Sequence, residues 1–325
     1  MTAEGCSRSP RHCKGGARRR FEAGGPHMDE RLNTAAARWS VRQEADRSRW
    51  WSHGAIIRHI NKMVCGEPIE GPHQGFNRLI EKRMPAGGFR DGVSVGCGSG
   101  GKEMKLLQRN LVQRFHLFEI GEFRRDQIKA KAHEHGVADR ISIHIGNAMD
   151  EAPRSEFDLV YWNNSLHHMF DAEKAVRWSD VALKAGGCFA MDDFVGPTRF
   201  QWSDAEIEIA SRVRGLLPDR FLVNPKSREH MLNRRVGRPS IEKMMEADPT
   251  EAADSGSIQQ AVLDHFPDAA MVRTGGIIYH LALNDVLANF HDDDDMPLLD
   301  ALLLLDETLA ESGRSHYAVA LATKH

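Results

Sequence analysis

The chain has 325 residues, of which 41% are hydrophobic and 27% are charged, a composition typical of a globular protein that can bury a full core. The formal net charge of −3 gives no whole-chain case for binding nucleic acid or an anionic membrane. The five cysteines are scattered without a C-x-x-C pair, which argues against a disulfide framework or a zinc cluster. No apolar stretch reaches membrane-spanning length and no signal-peptide core is present, so we expect a cytoplasmic protein without a metal site.

The N-terminal part is predicted to contain a tail and a helical cap. Residues 1–27 mix glycine, serine, proline and arginine, which predicts a disordered basic tail. Residues 28–90 are predicted to form an N-terminal helical cap, because apolar side chains recur at helical spacing as far as about Ile60. Three tryptophans in this region either cap a ligand site or anchor the core, and core anchoring is favoured: Trp39, Trp50 and Trp51.

Strand and helix patterns alternate over residues 91–195, which predicts a parallel sheet with crossover helices. The strand candidates are Gly92–Val95, Phe115–Ile120, Ile141–Ile145, Phe157–Tyr161 and Cys188–Asp192. The helix candidates are Lys102–Val112, Arg124–His135 and Ala172–Leu183. Ala185-Gly186-Gly187 is interpreted as the end signal of the last of these helices.

The alternation is interrupted and then resumes. Residues 196–265 are polar-helical with several prolines, which predicts a helical insertion that packs over the site. Residues 266–325 are predicted to complete the sheet with strands Ala269–Thr274 and His316–Thr323, joined by helices over about 276–290 and 296–312. The acid run Asp292–Asp295 is interpreted as a solvated helix start, and the apolar face of 297–310 as internal packing.

The first predicted strand runs into a glycine turn, Gly96-Cys97-Gly98-Ser99-Gly100-Gly101, and then into a helix. This arrangement is typical of a nucleotide-binding motif, because glycine allows a tight turn and a close approach of the ligand to the backbone. The glycine spacing fits both a dinucleotide and S-adenosylmethionine. Glu119 ends the second strand and is predicted to accept hydrogen bonds from both ribose hydroxyls.

The ends of the third and fourth strands carry further polar candidates. The side-chain oxygen of Asn147 and the backbone N–H of Ala148 are predicted to contact an adenine base. Leu166-His167-His168 follows the fourth strand, where side chains at the carboxyl ends of parallel strands face the ligand crevice. A histidine at that place can act as a general base.

Taken in order, these motifs resemble those of class I S-adenosylmethionine-dependent methyltransferases, over roughly residues 90–195. The resemblance implies an α/β fold, a doubly wound Rossmann-like seven-stranded sheet with a reversed last strand. It implies that S-adenosylmethionine is held by Gly96, Cys97, Gly98, Gly100, Glu119, Ile120, Asn147, Ala148 and Asn163. It also implies a catalytic base among His167 and His168, with Asp193 behind them and His167 preferred.

The chain departs from this family at two positions. Ser94 stands where the family usually has an acid, and Asn147 stands where it usually has an aspartate. Glu103 either compensates for the missing acid at position 94 or only interacts favourably with the positive end of the helix dipole. The second interpretation is preferred. The segment Asn163-Asn164-Ser165-Leu166 differs from the Asp/Asn-Pro-Pro-Tyr/Phe signature of amino-methylating nucleic-acid enzymes, so we expect no nucleic-acid partner.

These features predict an enzyme that O-methylates a small-molecule or glycan acceptor. An NAD(P)-dependent oxidoreductase and a catalytically degenerate cofactor-binding protein stay open as alternatives, and so does the oligomeric state. Arg199, Gln201 and Trp202 are predicted to line the acceptor pocket, and His280 is a distant further candidate for the base.

Overall fold

A computed structural model of the chain describes residues 30–39, 49–291 and 293–325. The expectation for residues 1–27 lies outside the described residues. No helix in the described part of the chain is both long and apolar enough to cross a membrane.

The strands form one seven-stranded sheet in the order β3-β2-β1-β4-β5-β7-β6. Their bounds are β1 Phe89–Val95, β2 Val112–Glu119, β3 Ile141–Ile145, β4 Phe157–Asn163, β5 Leu183–Phe194, β6 Ala270–Gly275 and β7 Tyr317–Thr323. Strands β1 to β5 pair in parallel, whereas β7 is antiparallel to both β5 and β6. The predicted doubly wound sheet with a reversed last strand is therefore confirmed.

Helices cover both faces of the sheet. Their bounds are α1 Glu30–Trp39, α2 Gly54–Cys65, α3 Gln74–Arg83, α4 Gly101–Gln108, α5 Glu122–Glu134, α6 Ala172–Ala182, α7 Asp204–Leu216, α8 Ile241–Ala247, α9 Ile258–His265 and α10 Met296–Glu311. The central strand β4 is buried on both faces, as expected for a parallel strand between two helical layers. Val160 and Trp162 pack in the cluster with α6 and α9, while Leu159 and Tyr161 pack in the cluster with α3, α4 and α5.

Two predicted helix ends differ from the structure: α4 ends at Gln108 rather than Val112, where β2 begins, and the glycines after α6 are not its end signal. Helix α6 stops at Ala182, and Ala185-Gly186-Gly187 lies within β5 rather than at a helix end. The register between β4 and β5 shifts there, and Gly186, with φ 78°, donates its N–H to the carbonyl of Lys324 at 2.7 Å. The glycines form an irregularity at the amino-terminal end of β5, which local sequence cannot distinguish from a helix end.

The helix predicted over about 276–290 is also wrong. Residues Ile277–Ala282 form a single π-helical turn, and a short 3₁₀ turn follows at Leu287–Asn289. The buried carboxylate of Asp306 in α10 accepts hydrogen bonds from the N–H groups of Gly276 and Ile278, at 2.9 and 3.0 Å. A long-range contact from α10 therefore fixes the start of this turn.

The acid run before α10 is not wholly solvated. Asp295 is 2% exposed and pairs with Arg220 at 2.6 Å, so this acid anchors a neighbouring segment. Within the insertion, residues 196–265 contain α7, α8 and α9 together with 3₁₀ turns.

The tryptophans of the N-terminal region divide between two environments. Trp50 packs against Tyr279 and Tyr317, with ring centroids 5.0 and 4.9 Å apart, and so anchors the core. Trp51 is 49% exposed. Trp39 lies instead on the wall of the cavity described below.

Candidate functional site

A cavity of about 720 Å³ opens at the carboxyl edge of the sheet. Helix α1 covers it, and residues from the glycine turn and from the ends of β2, β3 and β4 form its walls. Of the residues predicted from the sequence, eight line this cavity: Gly96, Cys97, Gly98, Glu119, Ile120, Asn147, Ala148 and His168. Four do not line it: Gly100, Asn163, His167 and Asp193.

The glycine turn is shaped by backbone conformations that favour glycine. Gly96, Gly98 and Gly100 have φ values of 68°, 59° and 74°. A Cβ on Gly96 would lie 2.9 Å from the Cβ of Ser165, so this position needs glycine for packing as well. Gly100 precedes the first residue of α4, and the turn leads directly into the helix N-terminus.

Glu119 holds the glycine turn against the end of β2. Its carboxylate accepts hydrogen bonds from the N–H groups of Gly98 at 2.8 Å, Ile120 at 2.9 Å and Gly121 at 3.2 Å. The side chain is buried, and burial raises its pKa against the lowering effect of these hydrogen bonds. A carboxylate that organises the turn therefore borders the cavity, and its contact with a ribose stays a prediction.

A buried carboxylate also lies beside Ser94. Glu103, in the first turn of α4, is 1% exposed and accepts a hydrogen bond from the hydroxyl of Ser94 at 2.8 Å. No described residue hydrogen-bonds its second oxygen, and burial raises the pKa of the carboxyl group. The preferred interpretation of Glu103, a charge that merely favours the helix end, is incomplete: an acid from α4 occupies the space next to position 94.

The end of β3 presents Asn147 and Ala148 to the cavity. The Oδ1 atom of Asn147 accepts a hydrogen bond from the N–H of Met149 at 3.1 Å and caps the turn that follows. The side chain thus has a structural role in addition to the adenine contact expected for it.

Asn163 lies behind the cavity wall. It is 2% exposed, its amide donates to the Tyr161 hydroxyl at 2.7 Å, and its carbonyl accepts from the Lys102 ammonium. The next residue, Asn164, lines the cavity in its place. Strand β4 runs to Asn163, two residues beyond its predicted end, so Asn163 is still a buried strand residue and Asn164 is the first residue after the strand.

His167 forms a buried pair with Asp193 at the ends of β4 and β5. Nδ1 of His167 lies 2.5 Å from Oδ1 of Asp193, which is 0% exposed. Asp193 also accepts hydrogen bonds from the N–H groups of Ser165 and Leu166, at 2.8 and 2.7 Å. The carboxylate therefore fixes both the imidazole and the loop that carries it.

This pairing sets the pKa values of both groups. Burial acts to raise the pKa of Asp193, but the adjoining His167 outweighs burial and the pKa is lowered. Burial acts to lower the pKa of His167, but the carboxylates of Asp193 and Glu251 outweigh burial and the pKa is raised. Burial and the neighbouring His167 lower the pKa of His168 to about 4, which keeps that ring neutral.

The insertion contributes residues that the sequence analysis missed. Thr250 lines the cavity, and its hydroxyl lies 3.1 Å from Nδ1 of His168. Glu251 places Oε1 at 3.8 Å from Nε2 of His167. The backbone N–H of Ala253 donates to the carbonyl of His167 at 3.0 Å, which ties this segment to the histidine loop. Nothing in the local sequence distinguishes Thr250 and Glu251 from an ordinary surface pair.

The predicted acceptor-pocket residues do not reach this cavity. The Arg199 guanidinium donates to the carbonyls of Glu251 and Pro249, at 2.9 and 2.7 Å, and so supports the segment that meets the histidine loop. Gln201 donates to the carbonyl of Pro239 at 3.2 Å. Trp202 and His280 border a smaller cavity of about 290 Å³, and burial lowers the pKa of His280 to about 3.

Comparisons with known proteins agree with this geometry. Residues 93–189 match a family model described as a methyltransferase domain. A 27-O-demethylrifamycin SV methyltransferase of Amycolatopsis mediterranei (strain S699) is 30% identical over 104 residues, 32% of this chain and 38% of the relative. The methyltransferase gedG of Aspergillus terreus (strain NIH 2624 / FGSC A1156) is 26% identical over 140 residues, 42% of this chain and 41% of the relative.

A solved structure supports the fold. The structure of geranyl diphosphate methyltransferase in complex with GPP and sinefungin matches with a TM-score of 0.54 at 12% identity, covering 91% of this chain and 100% of that chain. The curated relatives above are matched over less than half of their length. Residues 93–189 therefore match a methyltransferase domain, and the fold around them is that of geranyl diphosphate methyltransferase.

Proposed function

We propose that this protein transfers a methyl group from S-adenosylmethionine to an oxygen of a small-molecule acceptor, sugar-bearing acceptors included. The observation that carries the proposal is the buried His167–Asp193 pair, which lies at the strand ends beside the cavity. The Amycolatopsis relative, by its name, acts on 27-O-demethylrifamycin SV, which supports a small-molecule acceptor. The free thiols of Cys65, Cys97 and Cys188 support a cytoplasmic location.

The residues around the cavity suit the cofactor. Glu119 borders the cavity as a hydrogen-bond acceptor for the ribose, and Asn147 and Ala148 border it as polar contacts for the adenine. The N–H groups of the glycine turn and of the first turn of α4 suit the carboxylate end. We propose that the orphaned oxygen of Glu103 offsets the missing acid at position 94.

S-adenosylmethionine, when bound, supplies a methyl group already activated on sulfur. The chain then has to orient the acceptor, exclude water and take up the proton of the acceptor hydroxyl, and orientation alone can lower such a barrier by several kcal/mol, up to about 7–11 kcal/mol. Helix α1, with Trp39 on the cavity wall, shields the site. Asp193 holds Nδ1 of His167, so that Nε2 is the nitrogen available for the proton.

The test combines binding with turnover. Calorimetric titration with S-adenosylhomocysteine and with NAD comes first, followed by transfer of a radiolabelled methyl group to a panel of small phenols, alcohols and sugars. His167→Asn should retain binding of S-adenosylhomocysteine and lower transfer by about 10²- to 10⁴-fold. His265→Asn, at a half-buried histidine that does not line the cavity, should leave both unchanged.

Three results would contradict the proposal. Binding of NAD in place of S-adenosylhomocysteine would favour an oxidoreductase. Binding of S-adenosylhomocysteine with no transfer to any acceptor would favour a degenerate cofactor-binding protein. Full activity in His167→Asn would remove the role of the His167–Asp193 pair.

A further inference from the structure

Two imidazoles and a carboxylate converge where the insertion meets the histidine loop. One nitrogen each of His167 and His168 and one oxygen of Glu251 lie within 4.8 Å of one another. The rings of the two histidines are 4.1 Å apart between centroids. Histidine nitrogen and carboxylate oxygen are ligands that divalent transition metals accept, and two histidines with one glutamate form a known type of zinc site.

Asp193 orients the first of these ligands. The carboxylate accepts the Nδ1 proton of His167 at 2.5 Å, so that the lone pair of the neutral ring lies on Nε2. Nε2 faces Oε1 of Glu251 at 3.8 Å, a separation too long for a hydrogen bond. A carboxylate behind a histidine is the arrangement by which proteins fix metal-binding imidazoles.

A second carboxylate orients the other histidine through a hydroxyl. Thr250 donates its single hydroxyl proton to Oδ1 of Asp248 at 2.6 Å. The same hydroxyl lies 3.1 Å from Nδ1 of His168 and can only accept there, so that Nδ1 carries the proton. The lone pair of His168 therefore lies on Nε2, and the two buried acids, Asp193 and Asp248, each act on the Nδ1 side of the histidine that they orient.

We propose that His167, His168 and Glu251 bind a divalent transition-metal ion, with Zn²⁺ as the reference ion. Ligand atoms about 2.0–2.1 Å from zinc lie roughly 3.3–3.5 Å from one another in a tetrahedron. The carboxylate therefore has to approach His167 by a few tenths of an ångström, and any ligand pair near the 4.8 Å limit has to close by about one ångström. The Glu251 side chain is 31% exposed and has room to make this movement. Magnesium is a poor candidate because it prefers an all-oxygen octahedron.

The site would open towards the same cavity as the methyl transfer. His168 and Thr250 both line that cavity, so a fourth coordination position on this side is accessible to an acceptor oxygen. Coordination lowers the pKa of a hydroxyl. With the ion bound, the acceptor hydroxyl would lose its proton to solvent; without the ion, Nε2 of His167 takes up that proton. In this one respect the inference rests on the proposed function; the ion site itself does not.

The experiment is a calorimetric titration of the chelator-treated full chain with Zn²⁺ and, separately, Mg²⁺. We expect one Zn²⁺ per chain and no comparable Mg²⁺ binding. Glu251→Gln, which removes a ligand, and Thr250→Val, which removes the hydroxyl that orients His168, should each weaken Zn²⁺ binding by about 10- to 100-fold. The matched control is Glu173→Gln, because Glu173 also pairs with a histidine, His265, at 2.6 Å on the surface and should bind Zn²⁺ as the wild type does.

Two further measurements make the result decisive. The Co²⁺-loaded wild-type chain should show visible absorption bands of a tetrahedral site, which decides the matter even where a variant fails to fold. S-adenosylhomocysteine is titrated into the same samples. A wild-type chain that binds zinc but not S-adenosylhomocysteine would refute the proposed function and leave the metal site standing. Absence of stoichiometric Zn²⁺ binding, or equal affinity in the wild type and Glu251→Gln, would overturn the metal site.

Discussion

Replacing Glu119 by glutamine tests the proposed cofactor site with little change of side-chain volume. The wild-type carboxylate accepts three backbone hydrogen bonds, from Gly98 at 2.8 Å, Ile120 at 2.9 Å and Gly121 at 3.2 Å. The amide of glutamine has only one oxygen. If that oxygen accepts the hydrogen bonds of Ile120 and Gly121, the N–H of Gly98 faces an NH₂ group and loses its acceptor. We therefore expect both the glycine turn and the predicted ribose contacts to weaken.

The magnitude follows from these contacts. A buried donor that loses its partner costs about 1–3 kcal/mol, and the two remaining bonds lose their charge assistance. Burial raises the pKa of Glu119 because it disfavours the charged form. The neutral glutamine avoids this cost, which offsets part of the loss. The expected decrease in the free energy of unfolding is thus about 1–3 kcal/mol. Loss of one charge-assisted hydrogen bond to the ligand, about 1.5–3 kcal/mol, corresponds to roughly 10- to 100-fold weaker binding.

The assay is calorimetric titration with S-adenosylhomocysteine, with urea unfolding of the same samples. The matched control is Glu122→Gln, because Glu122 lies three residues further on, is exposed and pairs with Arg125. Unchanged affinity in Glu119→Gln, or an equal loss in Glu122→Gln, would refute the assignment of Glu119 to the cofactor.

Three further predictions concern the surroundings of the site. Ser94→Ala should lower the free energy of unfolding, measured in urea, by about 1–3 kcal/mol, because it leaves Glu103 buried without its hydrogen bond. Adding Glu103→Gln to Ser94→Ala should recover part of the loss. A double variant no more stable than Ser94→Ala would contradict this coupling. Trp39→Ala should weaken binding of S-adenosylhomocysteine by about 3- to 10-fold, because the Trp39 ring lines the cavity and its centroid lies 5.1 Å from that of His168. Trp39→Phe should bind almost as the wild type does. Equal affinity in the wild type and Trp39→Ala would show that the ring does not contribute to nucleotide binding. Burial acts to raise the pKa of Glu206, but its hydrogen bonds, chiefly from His316, lower the pKa to about 2 from the ordinary 4.5, so its stabilising contribution is present above about pH 4.5 and is lost as pH falls towards 2. The difference in urea stability between wild type and Glu206→Gln should accordingly narrow from neutral pH to about pH 3, and a constant difference would show that the charge of Glu206 is not involved.

The parallel part of the fold could be predicted because its patterns are local. β4 contains the apolar run 159–162 followed by polar residues, and the glycine turn needs positive φ values that few residues other than glycine adopt. The boundaries that were wrong depend on distant partners. Gly186 pairs with Lys324, and Asp306 fixes the turn that begins at Ile277.

The same distinction applies to the candidate site. A histidine at the end of β4 and an aspartate at the end of β5 come together because neighbouring parallel strands end at one edge, so the sequence could place His167 near Asp193. Glu251 reaches that pair from the insertion, eighty-four residues along the chain from His167, and no periodic pattern records such a contact. The backbone N–H of Ala253 and the guanidinium of Arg199 hold this segment in place.

The sequence by itself determined the order of strands and helices, the glycine turn and the acids and histidines at the strand ends, because these follow from hydrophobic period and backbone conformation. Only the tertiary structure decided that Glu103 fills the space beside Ser94, that Asn164 rather than Asn163 lines the cavity, and that Glu251 meets the histidines. These are contacts between segments distant in sequence, and they depend on how each segment packs rather than on the residues next to it.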